Sequence, residues 1–309
     1  MTSRASSSSS TTDGSGEAAD QLPASPDATR GRAGSENFPV AARLLPGRFR
    51  RHLMALYSYA RLVDYAGDEA PGDRLALLDA IEADVDRVYD GHPRIRELRA
   101  LQTTVRECAV PRAPLVRLIE ANRRDQRVRR YRTFAELLDY CALSADPVGE
   151  LVLHLFGCAT PDRIALSDRV CTALQILEHC QDVAEDHAAG RVYLPAEDLA
   201  RHGCGEQELA APRASPAVRR VVALQVARAR HLLAEGEPLI GRLPLPARIA
   251  VSGYLAGGRA TAAALAAVDY DVLGNQVRPR PTRVLVEWAR LAAPAPVRGA
   301  RAGRVGGAR

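Results

Sequence analysis

Leu174-Gln175-Ile176-Leu177-Glu178-His179-Cys180-Gln181-Asp182-Val183-Ala184-Glu185-Asp186, followed at once by Gly190-Arg191-Val192-Tyr193-Leu194-Pro195, is the stretch from which the chain is read. It reads as helix, and on a helix Glu178, Asp182 and Asp186 recur every fourth residue on one face. Like charges so placed repel by about a few tenths of a kcal/mol per pair, so a helix that keeps three of them asks for a cation. Carboxylate oxygens, with no Cys or His pair at ligand spacing, suit a hard ion such as Mg²⁺, which keeps waters and bridges to phosphates. A solvated acidic face would show the same residues, and this stretch alone leaves both readings open.

A second copy favours the cation. In Tyr57-Ser58-Tyr59-Ala60-Arg61-Leu62-Val63-Asp64-Tyr65-Ala66-Gly67-Asp68-Glu69 the same four-residue spacing joins Asp64 and Asp68, with Arg61 and Tyr57 one and two turns earlier. Two such pairs on helices lying side by side would clamp a diphosphate through shared metal ions.

The composition limits the alternatives. The chain has 309 residues, 47% hydrophobic and only 5% aromatic, which suits a sizeable core of helices. All 42 basic residues are arginine, which excludes Schiff-base chemistry and a P-loop lysine. The net charge of +5 lies largely in the C-terminal tail, so no compact nucleic-acid stripe is indicated. Six cysteines without a CxxC read as reduced core residues of a cytoplasmic protein. Residues 1–35 are polar and low in complexity, a disordered leader without the apolar core of a signal peptide. Even 246–268 contains Arg248 and Arg259, so the expected protein is soluble or at most peripheral to a membrane.

In chain order, a short helix is expected from Pro39, then a long one from Arg48 with the first acidic pair at its C-terminal end. Scaffold helices follow at 73–89, 94–109 and 113–126. Thr133 is read as the cap of a helix that kinks near Ser144, because Pro147 falls inside it. Tyr140, one turn before the kink, suits either a cavity wall or a buried tyrosine with a satisfied hydroxyl. One helix from Thr160 to Gly190 carries the second acidic set. A loop at 203–216, helices at 217–235 and 245–268, a break at Tyr270 and a last helix at 281–292 complete the body. A single all-α domain over 36–293 is expected, with a disordered basic tail at 294–309.

These motifs in this order resemble the squalene and phytoene synthase family, the head-to-head trans-isoprenyl diphosphate synthases. Asn37-Phe38-Pro39-Val40-Ala41, Ser144-Ala145-Asp146-Pro147-Val148-Gly149 and Gly190-Arg191-Val192-Tyr193-Leu194-Pro195 are most similar to its hopanoid-pathway branch, HpnC, which forms hydroxysqualene. The resemblance implies a class I isoprenoid synthase helical bundle around a central cavity. It implies two or three Mg²⁺ ions held by Asp64, Asp68, Glu178, Asp182 and Asp186. Tyr57, Arg61 and Tyr140 match catalytic positions, and Asn37, Phe38, Arg130, Tyr131, Gln175, Gln181, Arg191 and Tyr270 match substrate-binding ones. Glu178 stands where many relatives have asparagine, Gln181 where some have arginine, and Tyr65 where a second aspartate is common.

The activity so implied is Mg-dependent ionisation of presqualene diphosphate with water capture, without NADPH. The π faces of Tyr57, Tyr59 and Tyr140 would support the cation, and the Tyr140 hydroxyl is expected to face the hydrocarbon, away from the acidic pairs. Partners would be the prenyl diphosphate, neighbouring squalene-pathway enzymes and, for a lipophilic product, the inner face of the membrane; no nucleic acid is expected. The alternatives are a squalene, phytoene or dehydrosqualene synthase condensing two prenyl diphosphates, and a non-catalytic helical assembly protein of the same fold.

Overall fold

The computed structural model describes residues 46–292. The leader, the tail, Asn37, Phe38 and the helix expected from Pro39 lie outside the described residues.

Helix α1 (Gly47–Asp64) buries Leu53, Leu56, Tyr59, Leu62 and Val63. It runs into a π-helical turn, Tyr65–Glu69, closed by the Ala70 N–H donating to the Tyr65 carbonyl at 2.8 Å. The first acidic pair is therefore not on one α-helix: Asp64 is the last residue of α1, and Asp68 lies in the wider turn. Helices α2 (Arg74–Asp90), α3 (Arg96–Cys108) and α4 (Arg112–Asp125) form the expected scaffold. Tyr59 is fully buried and donates to the Leu115 carbonyl at 2.8 Å, which ties α1 to α4 and removes this ring from any cavity wall.

Helix α5 (Phe134–Ser144) starts at Thr133, whose hydroxyl accepts from the Glu136 N–H at 3.2 Å. The Glu136 carboxylate accepts from the Arg132 N–H at 2.8 Å, one residue before the reciprocal partner of a capping box. The kink foreseen at Ser144 is a full break at Ala145 (φ −113°, ψ −48°), after which α6 (Asp146–Leu155) begins with Pro147 in its first turn.

Helix α7 (Pro161–Gln181) begins on proline, and Thr160 makes no side-chain cap bond. The single helix expected to Gly190 is divided at Asp182 (φ −101°, ψ 13°) into α7 and α8 (Val183–Ala188). The hydrogen bonds Asp182 N–H to Glu178 carbonyl and Asp186 N–H to Asp182 carbonyl survive, at 3.0 and 2.8 Å. A turn there spreads charges that a straight helix would stack.

A short helix, α9 (Ala196–Arg201), follows, and the loop expected at 203–216 holds a 3₁₀ turn, Glu206–Ala210. Then come α10 (Pro216–Gly236), the single turn α11 (Pro238–Gly241), α12 (Leu245–Ala267) and α13 (Pro281–Ala292). Helix α7 lies at the centre, against α6, α10 and α12, and buries Val170, Ala173, Ile176, Leu177 and Cys180. Among the described residues there is no strand, only one parallel bridge between Arg130 and Val192. That bridge pins the segment after α4 to the segment after α8, which fixes Arg191 and Tyr193 beside the central helix.

Candidate active site

A cleft of about 340 Å³ opens between these helices, and both acidic sets face it. Asp64 and Asp68 come from α1 and its π-helical turn. Glu178, Asp182 and Asp186 come from α7, the break and α8, with Gln175 and His179 beside them. Helix α4 adds Asn122 and Asp125, α5 adds Tyr140 and Ser144, and the segment after α8 adds Arg191 and Tyr193.

Negative charge dominates the cleft. Its lining holds six carboxylates against one arginine, Arg191, whose Nη2 donates to Asp68 Oδ1 at 2.6 Å. Arg61 sits beside this lining, 3.5 Å from Asp64 Oδ2 and 3.5 Å from Glu69 Oε1. Asp64 is half exposed on the cleft, and loss of water around its carboxyl pushes it up to about 7; Arg61 pulls down, Asp68 and Glu178 push up, and Asn122 pulls down. Burial likewise raises Asp182 to about 6, with Glu178, Asp186 and Glu185 adding repulsion.

An all-oxygen donor set with surplus negative charge suits Mg²⁺. Among the described residues no three carboxylates converge on one point. An ion here would bind one or two carboxylates and take its other oxygens from water and a bound diphosphate, the usual habit of Mg²⁺.

A polar and aromatic network forms another part of the wall. Tyr140, 5% exposed, donates to Asp125 Oδ2 at 2.6 Å, and the Tyr193 hydroxyl donates to Oδ1 at 3.2 Å. Tyr193 stacks on His179 at 3.8 Å between centroids, and Tyr131 packs against both Tyr140 and Tyr193. Burial raises the Asp125 carboxyl, while the Tyr140 hydrogen bond and the Arg191 charge oppose it.

All five expected metal-binding residues, with Tyr140, Gln175 and Arg191, are thus brought to one cleft. Other expected site residues lie elsewhere. Tyr57 is buried in the packing of α1, and Tyr131 supports the wall from behind. Arg130 is exposed and pairs with Glu206, its Nε 2.8 Å from Oε2. Gln181 donates to the Val277 carbonyl at 2.6 Å and tethers the segment before α13. Tyr270, at a left-handed φ of 58°, is outside the lining. The Tyr140 hydroxyl meets Asp125 near the Asp68–Arg191 pair, not open hydrocarbon space, because a buried carboxylate is the stronger acceptor.

Asn122, Asp125, His179 and Tyr193 were missed from the sequence. Leu118, Asn122 and Asp125 recur at i, i+4 and i+7, so one face of α4 carried the signal.

The family model for squalene/phytoene synthase matches residues 32–286. A hydroxysqualene synthase from Sinorhizobium fredii is 32% identical over 212 residues, covering 67% of this chain and 71% of that protein. A phytoene synthase from Rhodobacter capsulatus is 32% identical over 247 residues, covering 78% and 72%. Among solved structures, squalene synthase HpnC from Alicyclobacillus acidocaldarius superposes with a TM-score of 0.74 at 42% identity, over 82% of this chain and 98% of that one. A dehydrosqualene synthase at 21% identity, TM-score 0.76, covering 85% and 94%, shares the class I isoprenoid synthase fold. With the match running through both acidic sets and the network between them, the chain belongs to the squalene/phytoene synthase family, enzymes that process prenyl diphosphates.

Proposed function

We propose that this protein ionises presqualene diphosphate and lets water capture the cation, giving hydroxysqualene and diphosphate. The observation that carries this reading is the opposition of Asp64 and Asp68 to Asp182 and Asp186 across a cleft whose wall holds Tyr140 hydrogen-bonded to Asp125. The 42% identity to HpnC and the hydroxysqualene synthase relatives favour this branch.

Bound Mg²⁺ would neutralise the departing diphosphate. Arg191, positioned by the Arg130–Val192 bridge, offers a fixed positive charge to the same group. The carbon–oxygen bond breaks with its electron pair leaving on diphosphate, and a cyclopropylcarbinyl cation remains. Tyr140 and Leu118 bound the space it occupies. The ring carbon–carbon bonds of this cation migrate and break to give a linear allylic cation; water then adds to it through oxygen, and the proton water loses has a route through the Tyr140 hydroxyl to Asp125, whose raised affinity suits a proton acceptor. No reductant enters this balance.

A condensing reading keeps support from the phytoene synthase relatives, one of which spans 78% of this chain. Incubation with presqualene, farnesyl or geranylgeranyl diphosphate, each with and without NADPH, separates the two by product. Hydroxysqualene from presqualene diphosphate without NADPH is expected; phytoene from geranylgeranyl diphosphate alone would overturn the assignment. No described helix is long and apolar enough to cross a membrane. A water-insoluble alcohol would leave either to a neighbouring pathway enzyme or through peripheral contact with a lipid surface.

A further inference from the structure

Helix α13 is apolar on two sides. Val284, Trp288 and Leu291 face the body, where Trp288 Nε1 donates to the Ile249 carbonyl of α12 at 2.9 Å. On the opposite side Leu285 is 60% and Val286 49% exposed, and Ala289 is exposed between them. At 100° per residue, Thr282, Leu285, Val286 and Ala289 share one outward face, with Arg283 and Arg290 along one flank. Trp288 stands over Ile249, one helical turn from Leu245, which is itself 60% exposed. Leu285, Val286 and Leu245 are the most exposed large hydrophobic residues among those described.

This end of the chain is also cationic. Residues 278–309 contain eight arginines and one acid, Glu287, a net +7; the whole chain is +5, so the remainder carries −2. The exposed apolar row therefore lies in a strongly cationic stretch of the sequence, one of several in a chain whose remainder nets slightly negative. An apolar helix face flanked by arginine matches a bilayer that bears anionic headgroups, where aliphatic side chains enter the acyl boundary and guanidinium groups stay with phosphate.

We propose that the outward face of α13, with Leu245, docks this protein on an anionic lipid surface. This names the face for the peripheral contact suggested above. Its test reads vesicle binding and not turnover, so failure of the reaction assignment leaves it standing.

The test is co-flotation of the full chain with vesicles of phosphatidylcholine alone and of phosphatidylcholine with phosphatidylglycerol. Binding is expected to the anionic vesicles, to fall steeply with salt, and to drop about tenfold or more in a Leu285→Glu, Val286→Glu double variant that keeps its fold by circular dichroism. Arg283→Gln with Arg290→Gln should weaken it less and flatten the salt dependence. No binding to anionic vesicles overturns the proposal, as does binding indifferent to the double variant, which would make the attraction electrostatic alone. If sedimentation shows a dimer that the double variant dissociates and vesicles do not bind, the face is a contact between copies and the proposal is wrong.

Discussion

Tyr140 and Asp125 are joined by a 2.6 Å hydrogen bond from the phenol to the carboxylate, linking α5 to α4 in the wall of the cleft. Tyr140→Phe keeps the ring and removes the donor to a charged acceptor, which should cost about 1–3 kcal/mol in denaturant titration. In the proposed water capture kcat should fall about tenfold or more with KM little changed, and products should shift toward alkenes. Asp125→Asn should reproduce the kinetic effect, and the double variant should be less than additive, with a coupling of about 0.5–3 kcal/mol. Strict additivity would mean that the two residues act separately.

Metal-free stability should depend on pH with a sign set by Asp64 and Asp182. Their folded affinities for protons, about 7 and about 6, lie above the ordinary value of 3.8. Between the ordinary and raised values the folded state holds more protons than the unfolded chain, so stability falls as pH rises from about 4 to 7. Asp146, raised to about 7 by burial away from the cleft, adds the same sign. Comparing melting temperatures in EDTA and in Mg²⁺ isolates the part due to the site, and Mg²⁺ should flatten the slope. Equal slopes would remove the cation from the account.

Asp64→Asn and Asp182→Asn should each lose nearly all turnover, because each removes a charged oxygen that would help to neutralise a diphosphate. In EDTA at pH 8 the same variants should melt higher than the parent, since each also removes a partly desolvated charge that its neighbouring carboxylates repel. Activity that survives in EDTA contradicts the first expectation, and a lower melting point contradicts the second.

Gly67→Ala tests the contact behind the first acidic set. A Cβ there would lie 2.0 Å from Asn122 Oδ1, and Asn122 lines the cleft. Displacing Asn122 should cost about 1–3 kcal/mol and reduce turnover. Gly47→Ala, where a Cβ meets nothing within 4 Å, is the control and should be neutral or slightly stabilising.

Helical periodicity was legible because it depends on one chemical property repeated: the helices of the scaffold begin and end within about three residues of where apolar spacing, proline and glycine place them. The acidic sets were legible for the same reason. What was not legible is how the helices end. Neither the π-helical turn after Asp64 nor the break at Asp182 has a proline or glycine signal at the point of departure; both depend on packing. Asp125 was hidden because an aspartate at a helix end beside Arg123 and Arg124 looks like surface, and only the approach of α5 and of Tyr193 buries it. Arg130, Tyr131 and Gln181 show the converse, residues placed in the site by similarity whose side chains do structural work nearby.

The π-helical turn at Tyr65–Glu69 is equivalent to a helix that has accepted one residue too many. A chain shortened by Ala66 would close the turn in the regular way and put Asp68 three residues after Asp64 and not four, changing the place of its carboxylate against Arg191. Such a deletion would give a tidier helix and a dismantled site. Selection for local regularity and selection for chemistry therefore pull this segment in opposite directions, and a stabilising redesign of α1 that ignored the extra residue would arrive at a sound protein with nothing to hold its diphosphate.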